Sequence, residues 1–157
     1  MNPNVKAFLE MIGISEIGSD IINNPLSDRG YKVIVGSTPD KLILMANYSG
    51  HPKKMIILSP TLKSSAAGKF QLLGKYYDYY AKLLDLSDYS PASQDAIAIQ
   101  QIKECKALED VEEGRFDLAV SKCSHIWASL PGAGYGQHEN KLTSLKTAYV
   151  LAGGSLA

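Results

Sequence analysis

The chain has 157 residues, of which 45% are apolar and 20% charged, a length and composition that suit one globular domain and exclude a disordered or collagen-like chain. Sixteen Lys and Arg balance sixteen Asp and Glu, so the total charge offers no long-range attraction to nucleic acid or to a membrane surface. No window reaches the ~18 apolar residues a bilayer span needs, and no basic segment followed by an apolar run marks an export signal, which predicts cytoplasmic accumulation and no stable membrane association. Charge is unevenly spread: Lys53, Lys54, Lys63, Lys69, Lys75 and Lys82 crowd one stretch, and acidic residues dominate between Asp85 and Asp117, a pattern that predicts solvated helix faces of opposite sign.

Asn4 is placed to cap a first helix in which Val5, Phe8, Leu9, Met11 and Ile12 recur at helical spacing and which ends near Ser15 and Glu16. Over residues 17–30, Gly18, Ser19, Asn23, Asn24, Pro25, Ser27 and Gly30 give a turn-rich composition that predicts a long loop. Loops of ~14 structureless residues are uncommon in compact domains unless they serve function. Residues 31–35 and 42–45 are β-prone and separated by Gly36, Ser37, Thr38 and Pro39, and 55–58 can supply a third strand of a small antiparallel sheet.

After Gly68 the period turns helical, with Phe70, Leu73, Tyr76, Tyr77, Tyr80, Leu83 and Leu84 on one face. Ser90 and Pro91 supply the cap and first turn of a helix that carries Ile97, Ile99 and Ile102 toward Leu108. A further helix after Gly114 holds Phe116, Leu118, Ala119, Val120, Cys123, Ile126 and Trp127 until Pro131 interrupts, with Trp127 in the core. The last helix spans roughly 138–151 and stops at Gly153 and Gly154, both suited to a left-handed cap. Strands followed by helices without alternation predict one α+β domain over 1–157, mostly helical, with a small antiparallel sheet flanking a cleft suited to a ligand.

Little in this pattern points to common cofactors. His51, His125 and His138 lie far apart, and Cys105 and Cys123 lack the short spacing of a zinc site, so no metal and free thiols are expected. Gly132-Ala133-Gly134-Tyr135-Gly136 lacks the lysine and Ser/Thr of a phosphate loop, and no serine occupies a Gly-x-Ser-x-Gly elbow. Polar and glycine-containing segments remain at element boundaries: Ser15-Glu16, Gly30-Tyr31, 64–71 and 131–139. A lone Glu16 is by itself more often a solvated charge than a site.

Longer blocks narrow the reading. Lys6-Ala7-Phe8-Leu9-Glu10-Met11 followed by Ser15-Glu16, then Gly30-Tyr31-Lys32-Val33-Ile34-Val35-Gly36, His51-Pro52-Lys53 and Ala67-Gly68-Lys69-Phe70-Gln71-Leu72-Leu73 occur in order. Ser90-Pro91-Ala92-Ser93-Gln94-Asp95-Ala96 and Cys123-Ser124-His125-Ile126-Trp127-Ala128-Ser129-Leu130-Pro131-Gly132-Ala133-Gly134-Tyr135-Gly136-Gln137 follow. Together they resemble the phage lambda-type endolysin family over most of the chain. The resemblance implies a lysozyme-like fold and cleavage of the β-1,4 bond between N-acetylmuramic acid and N-acetylglucosamine by lytic transglycosylation, with no cofactor.

By the same resemblance Glu16 matches the catalytic glutamate, the 67–71 block is similar to the Gly-x-x-Gln segment along the cleft of lytic transglycosylases, and 130–137 looks like a lip over the glycan. Substrate contacts are expected from Tyr31, His51, Ser64, Gln71, Tyr135 and Gln137, since hydroxyl and amide groups suit the polar groups of a sugar. Each has a structural alternative: turn stabilisation for Ser64, backbone pairing for Gln71, lip packing for Tyr135, and a polar surface role for His51. Ile17 stands where the family usually has glycine, Tyr76 and Tyr77 where it has tryptophans, and the segments 18–30 and 37–50 are longer.

A carboxyl can deliver a proton near neutral pH if desolvation raises its pKa, and Met11, Ile12 and Tyr135 are the expected shield for Glu16. The partner implied is the peptidoglycan glycan strand, reached in the periplasm by a monomer after a holin opens the inner membrane. The alternatives are a water-using muramidase, with Asp20, Asp28 or Glu139 as its second carboxylate, and a non-catalytic wall-binding protein.

Overall fold

A computed structural model describes residues 1–134 and 138–157. Backbone contacts divide the chain into two compact units, Met1–Glu16 with Ala98–Ala157, and Ile17–Ile97.

The first unit is helical. Helix α1 spans Pro3–Ile17 and buries Val5, Ala7, Phe8, Leu9, Met11 and Ile12, the stripe predicted from the spacing. Its cap lies earlier than predicted: the Asn2 carboxamide oxygen accepts the N–H groups of Asn4 at 2.8 Å and Val5 at 3.3 Å. Pro3 then takes the first helical position, where its missing N–H costs nothing. Asn4 instead ties distant backbone together, donating to the Glu112 carbonyl at 3.0 Å and accepting the Ser155 N–H at 2.8 Å.

Within this unit, Phe8 meets Phe116 edge-on at 6.0 Å and Phe116 lies 4.9 Å from Tyr149, so three helices converge on aromatic rings whose burial together contributes several kcal/mol. Helix α5, Leu108–Glu112, is separate from the helix before it, because Lys106 adopts φ +58°. Helix α6 is Phe116–Cys123 and stops well before Pro131. The Ile126 and Trp127 N–H groups turn back to the Cys123 carbonyl, and Trp127 is buried as predicted. Helix α7 is Leu142–Leu151, later than its predicted start at 138, because Glu139 and Asn140 form hydrogen bonds outside the helix. Gly153 is the left-handed residue after it, at φ +100°. Gly154 serves space instead: a Cβ there would sit 2.4 Å from the Tyr149 ring. Cys105 and Cys123 are free thiols.

In the second unit, residues 17–30 are not a structureless loop. They hold the short helix α2, Ser19–Ile22, and a 3₁₀ turn, Pro25–Ser27, capped by the Asn24 side chain. The predicted strands at 31–35 and 42–45 reduce to isolated bridges such as Val33 with Leu44. Gly36 at φ +90° and the Ser37 hydroxyl, which bonds the Ile34 carbonyl and both polar groups of the Ile43 backbone, interrupt the ladder. The sheet that does form pairs β1, Ile56–Ser59, with β2, Leu62–Ser64, antiparallel, with an irregularity between Ile57 and Ser59.

Helix α3, Gly74–Leu83, begins after Phe70 and Leu73, which stay in the loop before it. Helix α4, Pro91–Glu104, starts where Ser90 and Pro91 predicted. It ends before the predicted limit near Leu108. The core of the second unit gathers Ile34, Met45, Ala67, Leu72, Tyr77, Tyr80, Tyr89 and Ile97. The α+β class is as expected, with helix predominant and one small antiparallel sheet. Among the described residues no helix is long and apolar enough to cross a membrane.

Candidate active site

Glu16 is the penultimate residue of α1, one position after buried Ser15 and on the helix whose Met11 and Ile12 are fully enclosed. The side chain is partly buried. Burial raises its carboxyl pKa from the ordinary 4.5 to about 7, against a smaller opposing effect of a hydrogen bond to the Ser129 hydroxyl. Desolvation disfavours the carboxylate more than one hydroxyl can restore, so near neutral pH the group is poised between proton donor and acceptor.

Three polar residues around it are not among those expected from the sequence. The Ser15 and Ser129 hydroxyls are 2.9 Å apart. The Asn140 amide donates to the Ser15 carbonyl at 2.9 Å and the Ser15 hydroxyl at 3.0 Å, with a longer approach to the Ser129 carbonyl at 3.4 Å. The Asn140 backbone N–H also bonds the Ser129 carbonyl at 2.8 Å. Nothing local marks these residues; only the membership of Ser15 and Ser129 in the family-like blocks is a signal.

Glu139, one of the possible second carboxylates, accepts the backbone N–H groups of Gly132 at 3.0 Å and Gly134 at 3.1 Å, which hold its pKa below the usual range. It braces its own loop. Tyr135 and Gln137, both expected at substrate, lie outside the described residues.

In the second unit the Gly-x-x-Gln segment is a tight loop held by side chains. Gly68 has φ +86°, and a Cβ there would meet the Gln94 Oε1 at 2.4 Å and the Tyr89 hydroxyl at 2.9 Å, so glycine is required on two grounds. Gln94, itself buried, accepts the Lys69 N–H at 2.9 Å and donates to the carbonyls of Tyr31 at 3.0 Å and Tyr89 at 2.9 Å. Tyr89 donates to the Ala67 carbonyl at 2.8 Å. Gln71 sits at φ +52° and spends its amide N–H groups on the carbonyls of Gly68 at 2.8 Å and Val33 at 3.2 Å. Its Oε1 has no partner among the described residues, which leaves an acceptor for a ligand.

Tyr31 packs edge-on to Phe70 at 6.3 Å, donates its hydroxyl to Asp95 at 2.8 Å, and lies under the Lys69 ammonium at 4.7 Å. Lys69 is buried, an uncommon state for a lysine. Ser64 accepts the Ala66 N–H at 3.1 Å, the turn-stabilising role, and lines a surface depression of ≈ 390 Å³ with Lys63, Ser65 and Leu73.

His51 departs from the expected polar surface position. It is buried, with Nε2 2.7 Å from the Leu72 carbonyl and Nδ1 accepting the Lys53 N–H at 2.9 Å. That pairing makes Nε2 the protonated nitrogen and occupies both ring nitrogens, and burial lowers the pKa. Asp28 accepts a short hydrogen bond from the Tyr48 hydroxyl. Asp20 is exposed in the first turn of α2.

The sequence profile of the Endolysin family matches residues 6–156. The chain is 48% identical to the endolysin of Escherichia phage lambda over 156 residues, covering 99% of this chain and 95% of that protein. It is 44% identical to the endolysin of Escherichia phage P2 over 157 residues, covering 96% and 93%. Among solved structures, bacteriophage lambda lysozyme complexed with a chitohexasaccharide superposes with a TM-score of 0.91 at 48% identity, covering 100% of this chain and 98% of that one. A second structure of lysozyme from bacteriophage lambda gives 0.87 at 47% identity over the same shares. With the family profile matching nearly the whole chain and both relatives and solved structures agreeing over the same length, the chain belongs to the endolysin family.

Proposed function

We propose that this chain cleaves the β-1,4 bond between N-acetylmuramic acid and N-acetylglucosamine in peptidoglycan, as a lytic transglycosylase that lyses the host cell, with residues 1–157 acting as one catalytic domain. The observation that carries this reading is Glu16: a helix-end carboxyl, partly buried, with a pKa of about 7. Protonated Glu16 gives its proton to the glycosidic oxygen as the bond to C1 of the muramic acid breaks. The C6 hydroxyl of the same sugar then bonds to C1 and returns its proton to the Glu16 carboxylate. The nucleophile is tethered to the reacting centre, so its effective concentration replaces an activated water, and the product carries a 1,6-anhydro end.

A water-using route would need a second carboxylate on the opposite face of the sugar. Of the three candidates, Glu139 and Asp28 are engaged with the Gly132 and Gly134 amides and the Tyr48 hydroxyl, which favours the intramolecular route, and exposed Asp20 is the carboxylate left for the water-using alternative. Gln71 offers its Oε1, without a partner among the described residues, to an acetamido N–H or a hydroxyl, and Tyr31 and Ser64 offer hydroxyl-bearing surfaces in the same unit. His51 serves by holding the Leu72 carbonyl. The glycan bound in the lambda lysozyme structure supports a sugar-polymer substrate. In this reading the protein is a monomer that reaches the periplasmic wall after a holin opens the inner membrane.

The test is mass spectrometry of fragments released from Gram-negative peptidoglycan by the wild type and by Glu16→Gln. Anhydro ends, one water lighter than reducing ends, are expected from the wild type alone. Reducing ends would replace the transglycosylase with a muramidase, and equal activity of Glu16→Gln would remove the glutamate from the mechanism.

A further inference from the structure

The hairpin of the second unit carries a surface that the chemistry at Glu16 does not use. Ile56 and Leu58 face inward, toward Gly36, where a Cβ would lie 3.4 and 3.3 Å from their methyl groups. Side chains alternate along a strand, so Ile57 and its cross-strand partner Lys63 face the other way, and Ile57 is 79% exposed. Met55, in step with Ile57, is 54% exposed. The Ser65 hydroxyl accepts the Gly74 N–H at 3.0 Å and ties the end of the hairpin to the start of α3. Here lies the ≈ 390 Å³ depression that Ser64 lines, with Met55 and Leu73 as its apolar lining and Lys53, Lys63, Lys75 and Asp78 as its charged lining.

That charge is not balanced. Asp78 is the single acidic residue between positions 51 and 82, against six lysines, and both its oxygens are taken by Lys53 Nζ, at 2.8 and 2.7 Å. Lys63 and Lys75 have no carboxylate partner among the described residues. Lys75 lies 5.1 Å from the centre of the Tyr76 ring, a contact that leaves its charge without a counter-ion. The Ser64 and Ser65 hydroxyls each accept a backbone N–H and keep their own hydrogens to give. Two ammonium groups and two hydroxyl donors beside apolar side chains suit an anion carried on aliphatic carbon, a carboxylate above all.

We propose that this depression is a subsite for the peptide stem of peptidoglycan, in which Lys63 and Lys75 take a stem carboxylate and Met55 and Leu73 the aliphatic carbons beside it. The proposal rests on the reading of peptidoglycan as the substrate. Stems hang from the N-acetylmuramic acid residues and, in Gram-negative walls, carry the free carboxylates of D-glutamate and diaminopimelate, whereas the sugars that bear them are neutral. A neutral glycan gives unpaired lysines nothing to complement; an acidic stem does. The chain as a whole has no net charge, so the attraction is local to this face and is not a general affinity for polyanions. The ammonium groups are exposed, so each contact is weak and salt-sensitive, and it acts on recognition, not on the chemical step.

The experiment is an amide NMR titration of the full chain with the soluble stem tripeptide N-acetyl-L-alanyl-γ-D-glutamyl-meso-diaminopimelate, alongside kcat/KM on native walls and on walls whose carboxylates have been converted to amides. The tripeptide is expected to shift the backbone signals of Lys63, Ser65 and Lys75, and the same peptide in amidated form to leave them unmoved. Combining Lys63→Gln with Lys75→Gln abolishes the shifts. Combining Lys54→Gln with Lys82→Gln, at exposed lysines outside the depression, retains them. Wild-type kcat/KM falls about tenfold on amidated walls, while the Lys63→Gln, Lys75→Gln protein shows that loss already on native walls and no further loss on amidated ones. Shifts that are absent, that survive amidation or that persist in this variant overturn the proposal, as does a variant that still prefers native walls tenfold. Binding to phosphatidylglycerol vesicles that the variant loses, with no response to the tripeptide, gives the depression to a membrane surface instead. Because the titration is read without turnover, it stands apart from the analysis of anhydro ends, which tests the cleavage reading.

Discussion

The two units hold their polar functional groups by opposite means. In the first, Glu16 rides on a long helix with a fully buried apolar stripe, and the surroundings act on it mainly by keeping water away. In the second, Gln71 sits in a loop with little regular structure, fixed by hydrogen bonds from Gln71, Gln94, Tyr89 and His51 to backbone carbonyls. A proton donor needs a raised pKa, which apolar packing supplies. A contact to a neutral sugar needs a direction in space, which a hydrogen-bonded loop supplies better. The first unit is therefore expected to fail by losing volume, and the second by losing a polar partner.

Glu16→Gln should have the most severe consequence, about a 10³-fold loss of kcat in wall-lysis assays, with no loss of folding stability. The sign of the stability effect follows from the raised pKa. The folded state holds the proton more tightly than the unfolded state, so wild-type stability falls as pH rises from 4.5 to about 7, by up to about 3 kcal/mol, less what partial exposure screens. Glu16→Gln has no such group, and denaturant melts at pH 4 and pH 8 should show its slope with pH reduced. An unchanged slope would mean that the carboxyl is solvated.

Next is Phe116→Ala, which empties the ring position between Phe8 and Tyr149 and should cost about 3–5 kcal/mol in chemical denaturation. Gln94→Leu tests the other unit: it keeps apolar volume but strands the Lys69 N–H and the Tyr31 and Tyr89 carbonyls, at about 2–4 kcal/mol. If Gln94→Leu were neutral while Phe116→Ala was severe, hydrogen bonding would not be what holds the loop.

Gln71→Gly should lower kcat/KM about tenfold and change stability little, because glycine relieves the φ +52° backbone while the amide bonds are lost. A stability loss above about 2 kcal/mol with unchanged kcat/KM would confine Gln71 to a structural role. The mildest change is Asn2→Ala, about 1 kcal/mol from loss of the cap, and Asn4→Ala should not mimic it through α1 fraying in hydrogen exchange.

Features local to the chain are legible in the sequence. The buried stripe of α1, the Ser90-Pro91 start of α4 and the small-sheet α+β class follow from periodicity and end signals. The departures have a common cause. Residues 31–35 and 42–45 have strand composition, yet the Ser37 hydroxyl takes over backbone groups a ladder would use. Helix α7 starts late because Glu139 and Asn140 bond Gly132, Gly134, Ser15 and Ser129. In both cases side-chain bonding overrides propensity.

Residue order thus specifies which positions are apolar at which period, and hence most of the helices, the class, and a glutamate at a helix end. Glu16 itself is marked by the family-like blocks, not by any local rule. The folded chain is needed to bring Ser129 and Asn140, 114 and 125 residues from Ser15, to that helix end. It is also needed to make His51 an enclosed brace and to commit the Gln71 amide N–H groups to the Gly68 and Val33 carbonyls. Periodicity reports a residue's own turn of helix or pleat, whereas hydrogen-bond partners and desolvation depend on atoms that only chain closure brings near.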